Sequence, residues 1–282
     1  MNEFKDIAYV EGSAFGTWHD FDLYVPEGKS VPRPLVVFVH GGAWRSEDKA
    51  KHSELARRLA RETACAVAVP NYRLTTPETG LKHPAHAEDL LAFLEFALRW
   101  EGPCGPKHPQ YDPSQLYLVG HSCSAHMIAS ILLVPPADAP KTFPSLAPSD
   151  ALLAAVRGVI ATEGLYDIDL LLQSFPSYKD WFIANTFGED AMYAMYSVSR
   201  YDLRPSAEEI QWLILHSPKD PLVDVLQSET MVQHLQGLQA NVESYLKLTS
   251  DDHNGVLLED KYHELVRGFI SRVGSKGQDA QQ

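Results

Sequence analysis

Cysteine is scarce in this chain and basic charge is in short supply. The 3 cysteines, Cys65, Cys104 and Cys123, are an odd number at wide spacings, which excludes a framework of paired disulfides and a zinc knuckle. Free thiols are expected. Lys and Arg number 24 against 37 Asp and Glu, a net charge of −13, with the acidic residues scattered rather than gathered in a tail. Such a surface does not suit a nucleic-acid backbone. No uninterrupted apolar run approaches the roughly 20 residues that span a bilayer. The opening MNEFKDIAYV also lacks the basic start and apolar stretch of a secretory signal. The expectation is a soluble, cytoplasmic protein with no membrane partner; the oligomeric state is not legible.

What is present is an ordinary globular composition, 45% hydrophobic and 22% charged over 282 residues, enough for one large α/β domain over 1–282. Apolar or β-branched runs bounded by turn residues alternate with segments of helical period, which predicts βα units around a mostly parallel central sheet with helices on both faces. Strands are expected at Trp18 to Val25, Leu35 to His40, Cys65 to Pro70, Leu116 to Val119, Val156 to Ala161, Trp212 to His216 and Val242 to Leu248. Helices are expected at Glu47 to Glu62, Pro84 to Trp100, Ser124 to Leu133, Val223 to Leu238 and Val256 to Val273. Two stretches break the rhythm, a Pro-rich one at about 134–150 and an aromatic one at about 166–209. Both are read as short, lid-like insertions over the carboxyl edge of the sheet, where such folds bind ligands. A frayed tail is expected at about 275–282.

Chemistry concentrates at four places. In LVVFVHGGAW two glycines follow a fully apolar strand, so the backbone can turn tightly and leave N–H groups aimed outward. In LYLVGHSCS a strand, a turn and a helix start put Ser122 at the apex of a tight elbow, where its neighbours must be small. Gly120 satisfies this; Ser124 stands where a second glycine is usual. An apex at Ser124 would be flanked by bulky His126, which is sterically worse. A hydroxyl nucleophile needs a base, and His253 in LKLTSDDHNG follows the terminal strand. Its ring needs an orienting carboxylate, for which Asp220 in LILHSPKDPLVD is preferred over Asp224, a helix-start candidate. Amides for an oxyanion and a hydroxyl to attack are the two halves of an acyl-transfer site.

Blander roles suit several neighbours. Asp251 and Asp252 read as solvated turn residues, His83 and His86 as structural, and His121 as packing near the elbow. Cys123 reads as an inert small residue. Trp44, Phe175, Tyr178 and Trp181 suit either a substrate pocket, Trp44 foremost, or ordinary core packing.

HGGAW, the GHSCSAH elbow, YRLTTPE with HPAHAEDL, and HSPKDPLV together resemble the α/β-hydrolase superfamily over roughly Trp18 to Val273. Within it the pattern is similar to kynurenine formamidases (arylformamidases) and hormone-sensitive-lipase-like esterases. The resemblance implies an α/β-hydrolase fold with Ser122 as nucleophile, His253 as general base and acid, and Asp220 as orienting carboxylate. It implies oxyanion donors at Gly41, Gly42, Ala43 and Cys123, and no metal or organic cofactor. Ser124 and Ser217 depart from the family's glycines. The implied reaction is N-formyl-L-kynurenine to kynurenine and formate, a step of tryptophan catabolism with a small-molecule substrate. The alternatives are a general short-chain carboxylesterase and, from another class, a non-catalytic ligand-binding protein of the same fold.

Overall fold

The structure is a computed structural model that describes residues 1–28, 33–103, 105, 109–137, 139–140 and 143–279, with side chains described as far as 275. Cys104 lies outside the described residues; Cys65 and Cys123 are free, buried thiols.

The strands are β1 (Asn2–Ala8), β2 (Asp20–Val25), β3 (Pro34–Val39), β4 (Ala66–Pro70), β5 (Asp112–His121), β6 (Leu133–Val134), β7 (Val156–Thr162), β8 (Asp202–Leu203), β9 (Gln211–Leu215) and β10 (Asn241–Tyr245). Eight of them form one sheet in the order β1-β2-β4-β3-β5-β7-β9-β10, and β6 pairs with β8 apart from it. β2 runs antiparallel to both β1 and β4, while β4, β3, β5, β7, β9 and β10 are parallel to one another. The helices are α1 (Ser53–Thr63), α2 (Ala85–Ala97), α3 (Cys123–Leu132), α4 (Asp150–Ala155), α5 (Ile168–Ser174), α6 (Ala184–Phe187), α7 (Val225–Gly237) and α8 (Asp260–Asp279).

The central strands read as unbroken apolar runs because both faces are covered. In β3, Leu35, Val37 and Val39 enter the core beneath α2, α3 and α7. Val36 and Phe38 enter the opposite core, with Leu55 and Leu59 of α1 and Phe269 of α8. That alternation is the period of two of a strand. Register then places the site: Val39 pairs with Gly120, Gly120 with Ala161, and Ala161 with Ile214. The turns after β3, β5, β7 and β9 therefore emerge side by side at the carboxyl edge.

Four expectations need correction. β1 went unforeseen, since its side chains are mostly exposed and its two core-facing residues, Phe4 and Ile7, are put out of a period of two by a register shift between them. The helix expected from Glu47 begins only at Ser53: Glu47 has φ 82°, and Lys49–His52 is a 3-10 turn capped by the Asp48 carboxylate. The tail expected to fray from Ser275 continues α8 as far as Asp279. The stretch 166–209 carries α5, α6 and a π-type turn, Lys179–Ile183, between them. Among the described residues, no helix is long and apolar enough to cross a membrane.

Candidate active site

β5 delivers Ser122 at φ 58° and ψ −126°, a conformation that a non-glycine residue holds only when its surroundings enforce it. They do so here, because the Ser122 N–H is fixed on the Thr162 carbonyl at 2.9 Å and α3 starts at the next residue. Gly120 lets helix and strand meet: a Cβ there would stand 2.8 Å from Ile128 Cδ1 and 2.9 Å from the Ala125 nitrogen. Ser124 replaces the second glycine with a working hydroxyl. Its Oγ accepts from the His121 N–H at 2.8 Å and donates to the Val39 carbonyl at 2.6 Å, tying the elbow to β3.

His253 is buried in the loop after β10, with Nδ1 2.6 Å from Asp220 Oδ2. Asp220 is in turn held by the Leu222 and Val223 N–H groups at 2.8 and 3.2 Å. Asp224 caps α7 without a side-chain hydrogen bond, so Asp220 is the acid at the ring. Asp252 Oδ1 accepts from the Asn254 and Gly255 N–H groups and is a turn residue, as expected. His121 is buried beside the elbow, and its Nε2 donates to the His253 carbonyl at 2.9 Å. Ser217, the other departure from a family glycine, donates Oγ–H to the Ser250 carbonyl at 2.5 Å and so braces the same loop.

Sequence reasoning missed a second carboxyl. Glu163 follows β7 directly at φ 49°. Its Oε2 lies 3.2 Å from His253 Nδ1 with no exposure to solvent, and its Oε1 accepts from the Ser217 N–H at 3.1 Å. The available signal was a charged residue closing the apolar run VRGVIAT. Burial pushes the Glu163 carboxyl up to about 8. Burial acts the same way on Asp220, but hydrogen bonds from His253 and Glu163 outweigh it and hold that carboxyl well below the usual range. Burial pulls His253 down, yet the two carboxyls outweigh it and raise the ring to about 9.

The HGGAW turn folds over Ser122. Gly42 sits at φ +100° where a Cβ would fall 2.2 Å from the Ser46 carbonyl oxygen, and a Cβ on Gly41 would be 3.0 Å from Ser122 Cβ. Gly42, Ala43, Ser122 and His253 line one cavity of about 330 Å³ with Arg45, Glu47, Leu165, Tyr178, Trp181, Phe182 and others. The amides of Trp44, at 3.3 Å, of Ala43 and of Cys123 itself face the Cys123 sulfur, while Gly42 lines the cavity beside Ser122. Burial pushes the Cys123 thiol up to about 11, which disfavours the reactive thiolate.

Trp44 is not a pocket residue. At φ 58° its ring turns inward, fully buried, edge-on to His126 and Phe187 at 5.4 and 5.1 Å. Phe175 stacks on Tyr178 at 4.8 Å from behind. The 166–209 stretch thus supplies the aromatic wall, and no described residue of 134–150 lines the cavity. A neighbouring cavity of about 360 Å³ shares Arg45 and Phe182 with it. His86 is buried and His83 half-buried, and His86 Nε2 is 2.9 Å from Thr75 Oγ1, as suits structural residues. His121, Glu163 and His253, and likewise Glu163, His216 and Asp220, have ligand atoms within 4.8 Å of one another. Both nitrogens of His216 are spent on Ser228 and the Val223 carbonyl, so the second group is part of a hydrogen-bond network; in the first, His121 Nε2 and His253 Nδ1 are engaged by the His253 carbonyl and Asp220.

Residues 21–235 match the family described as BD-FAE. The chain is 28% identical over 222 residues, 75% of its length and 74% of the relative's, to a kynurenine formamidase of Meyerozyma guilliermondii. It is 29% identical over 276 residues to a probable isoprenylcysteine alpha-carbonyl methylesterase of Oryza sativa subsp. japonica, covering 93% of this chain but only 62% of that one. In fold it is similar to an esterase B of Lactobacillus rhamnosis, with a TM-score of 0.79 at 16% identity, over 99% of this chain and 89% of the other.

Proposed function

Because the chain belongs to the BD-FAE family, with an α/β-hydrolase fold, we propose that it is a serine hydrolase of carboxylic amides or esters, with N-formyl-L-kynurenine as its preferred substrate. One observation carries the mechanism: His253, held by Asp220 at 2.6 Å, lines the same cavity as Ser122, which sits on an enforced left-handed turn. His253 takes the proton of Ser122 as its Oγ attacks the formyl carbon, and the oxyanion is met by the amides of Gly42 and Cys123. The imidazolium then protonates the departing anilide nitrogen. Water, activated by the same ring, cleaves the formyl-serine to formate.

The cavity supports an amino-acid substrate with an aromatic ring. Tyr178, Trp181 and Phe182 give it flat apolar walls, and Arg45 and Glu47 bring one charge of each sign, the pair that an α-carboxylate and an α-ammonium require. A second reading, a short-chain carboxylesterase, is favoured by the rim. There Trp181 and Leu222 are 48% and 39% exposed, apolar surface suited to an acyl chain.

The test is hydrolysis of N-formyl-L-kynurenine beside p-nitrophenyl acetate by wild type and Ser122→Ala. The expected result is a higher kcat/KM for the formamide, with the substitution lowering both by at least about 10³-fold. Turnover of the ester alone would sink the formamidase assignment and keep the serine mechanism. Failure of a serine-reactive probe to label Ser122 in folded protein would favour a ligand-binding role instead.

A further inference from the structure

Two fully buried carboxyls converge on one imidazole nitrogen. Asp220 Oδ2 stands 2.6 Å and Glu163 Oε2 3.2 Å from His253 Nδ1, and neither carboxyl side chain is exposed. Nδ1 carries a single hydrogen, and the shorter Asp220 contact, a hydrogen bond, uses it; Glu163 Oε2 is left without a hydrogen-bond partner of its own.

Among the described residues, the charged groups that act on Glu163 are Asp220 and His253, with no Lys or Arg among them. His121 and His216 also come within reach of it. Burial drives His121 well below its ordinary value and lowers His216 as well, so both are neutral. Like charges this close do not both ionise in a dry site, and one proton is retained between them. Oε1 of Glu163 is already an acceptor for the Ser217 N–H, which leaves Oε2 to carry that proton.

Resting on the Ser122, His253 and Asp220 reading above, we infer that Glu163 is a positioning residue: a neutral acid that donates its proton to Asp220, and a reserve carboxylate that orients His253 when Asp220 is lost. In the intact site the Glu163 O–H hydrogen-bonds the Asp220 anion and keeps it aimed at Nδ1–H. With Asp220 neutralised, the Glu163 proton departs to solvent, and its carboxylate accepts from Nδ1–H across the remaining gap. The raised value of Glu163, about 8, and the depressed one of Asp220 agree with this division.

The test compares wild type, Asp220→Asn, Glu163→Gln and the double variant on whichever of the two substrates wild type turns over, with circular dichroism and melting to establish folding. Asparagine keeps the Oδ1 acceptor for Leu222 and Val223, and glutamine keeps the Oε1 acceptor for Ser217. Loss of a triad acid costs about 10⁴-fold in kcat, and the double variant is expected at that level. Asp220→Asn alone should stay at least about 10-fold above the double.

Because the glutamine amide N–H can still donate to the Asp220 anion, Glu163→Gln should lower kcat on the alkaline plateau by about 10-fold or less, far less than Asp220→Asn. With no second carboxylate able to charge and stabilise the imidazolium, it should move the acid limb of kcat/KM to lower pH, a shift that a merely structural defect does not produce. An Asp220→Asn activity equal to that of the double variant, or an unmoved acid limb in Glu163→Gln, overturns the inference. A wild type inactive on both substrates overturns the catalytic reading beneath it, and both then fall.

Discussion

Ser124 turns a departure from the family's glycine into an attachment. Its Oγ is the acceptor for the His121 N–H and a donor to Val39, so Ser124→Ala strands a fully buried backbone donor. The expected cost is about 1–3 kcal/mol, read as a lower melting temperature, with catalytic loss following through the displaced elbow. Ser217 makes the same kind of substitution for glycine on the His253 side. Ser122, Asp220 and His253 could be singled out because each lies in a turn or loop that follows a strand, in a fixed chain order, and the structure sets Asp220 on His253 and His253 on the cavity of Ser122. Glu163 could not be singled out, since only the register of β7 against β5 and β9 brings a residue 57 positions before Asp220 to the same ring. Trp44 was misread for a related reason: which way a ring points after two glycines depends on a backbone angle of 58° that composition does not carry.

At the scale of elements, the parallel strands were readable and the edges were not. β3, β4 and β5 have buried, continuous apolar stretches, which announce a sheet covered on both faces. β1 pairs on one side and exposes most of its residues, so it looks like a polar loop. The strand-to-helix joint of β5 and α3 has less tolerance than any residue pattern suggests. Gly120→Ala would push a methyl against the Ala125 backbone nitrogen at 2.9 Å, and backbone cannot yield as a flexible side chain does. Its expected outcome is loss of serine-probe labelling at Ser122 together with destabilisation of about 1–3 kcal/mol. Normal labelling with an unchanged melting curve would show that the joint relaxes.

Over the whole molecule, the amino-terminal edge is fastened by charge as well as by the core contacts of Phe4, Ile7 and β2. Lys49, almost fully buried, bonds Asp22 of β2 at 2.8 Å and also Asp6 of β1. Lys5 reaches Asp22 from the other side at 3.0 Å. Burial alone would raise the Asp22 carboxyl, but its bonds to Lys49, the Asp6 N–H and Lys5 together hold it below the usual range. Its stabilising contribution is thus full above its unfolded value of about 3.9 and disappears as pH falls through the lower folded one. Lys49→Met is expected to cost about 3 kcal/mol near neutral pH, since a buried anion loses its main partner. That deficit, followed by urea melts across pH, should shrink below about pH 4 as Asp22 protonates.

Arg45 connects parts that the chain keeps far apart. From the turn that covers Ser122 its guanidinium donates to the carbonyl of Trp181, in the aromatic segment of the wall, and it borders both neighbouring cavities. The segment that walls the cavity is therefore latched to the turn that would receive the developing charge. For anyone recombining relatives of this chain, 166–209 is not a free-standing specificity cassette: it has to travel with its latch at position 45, or the graft brings a new wall and leaves the old turn unsupported.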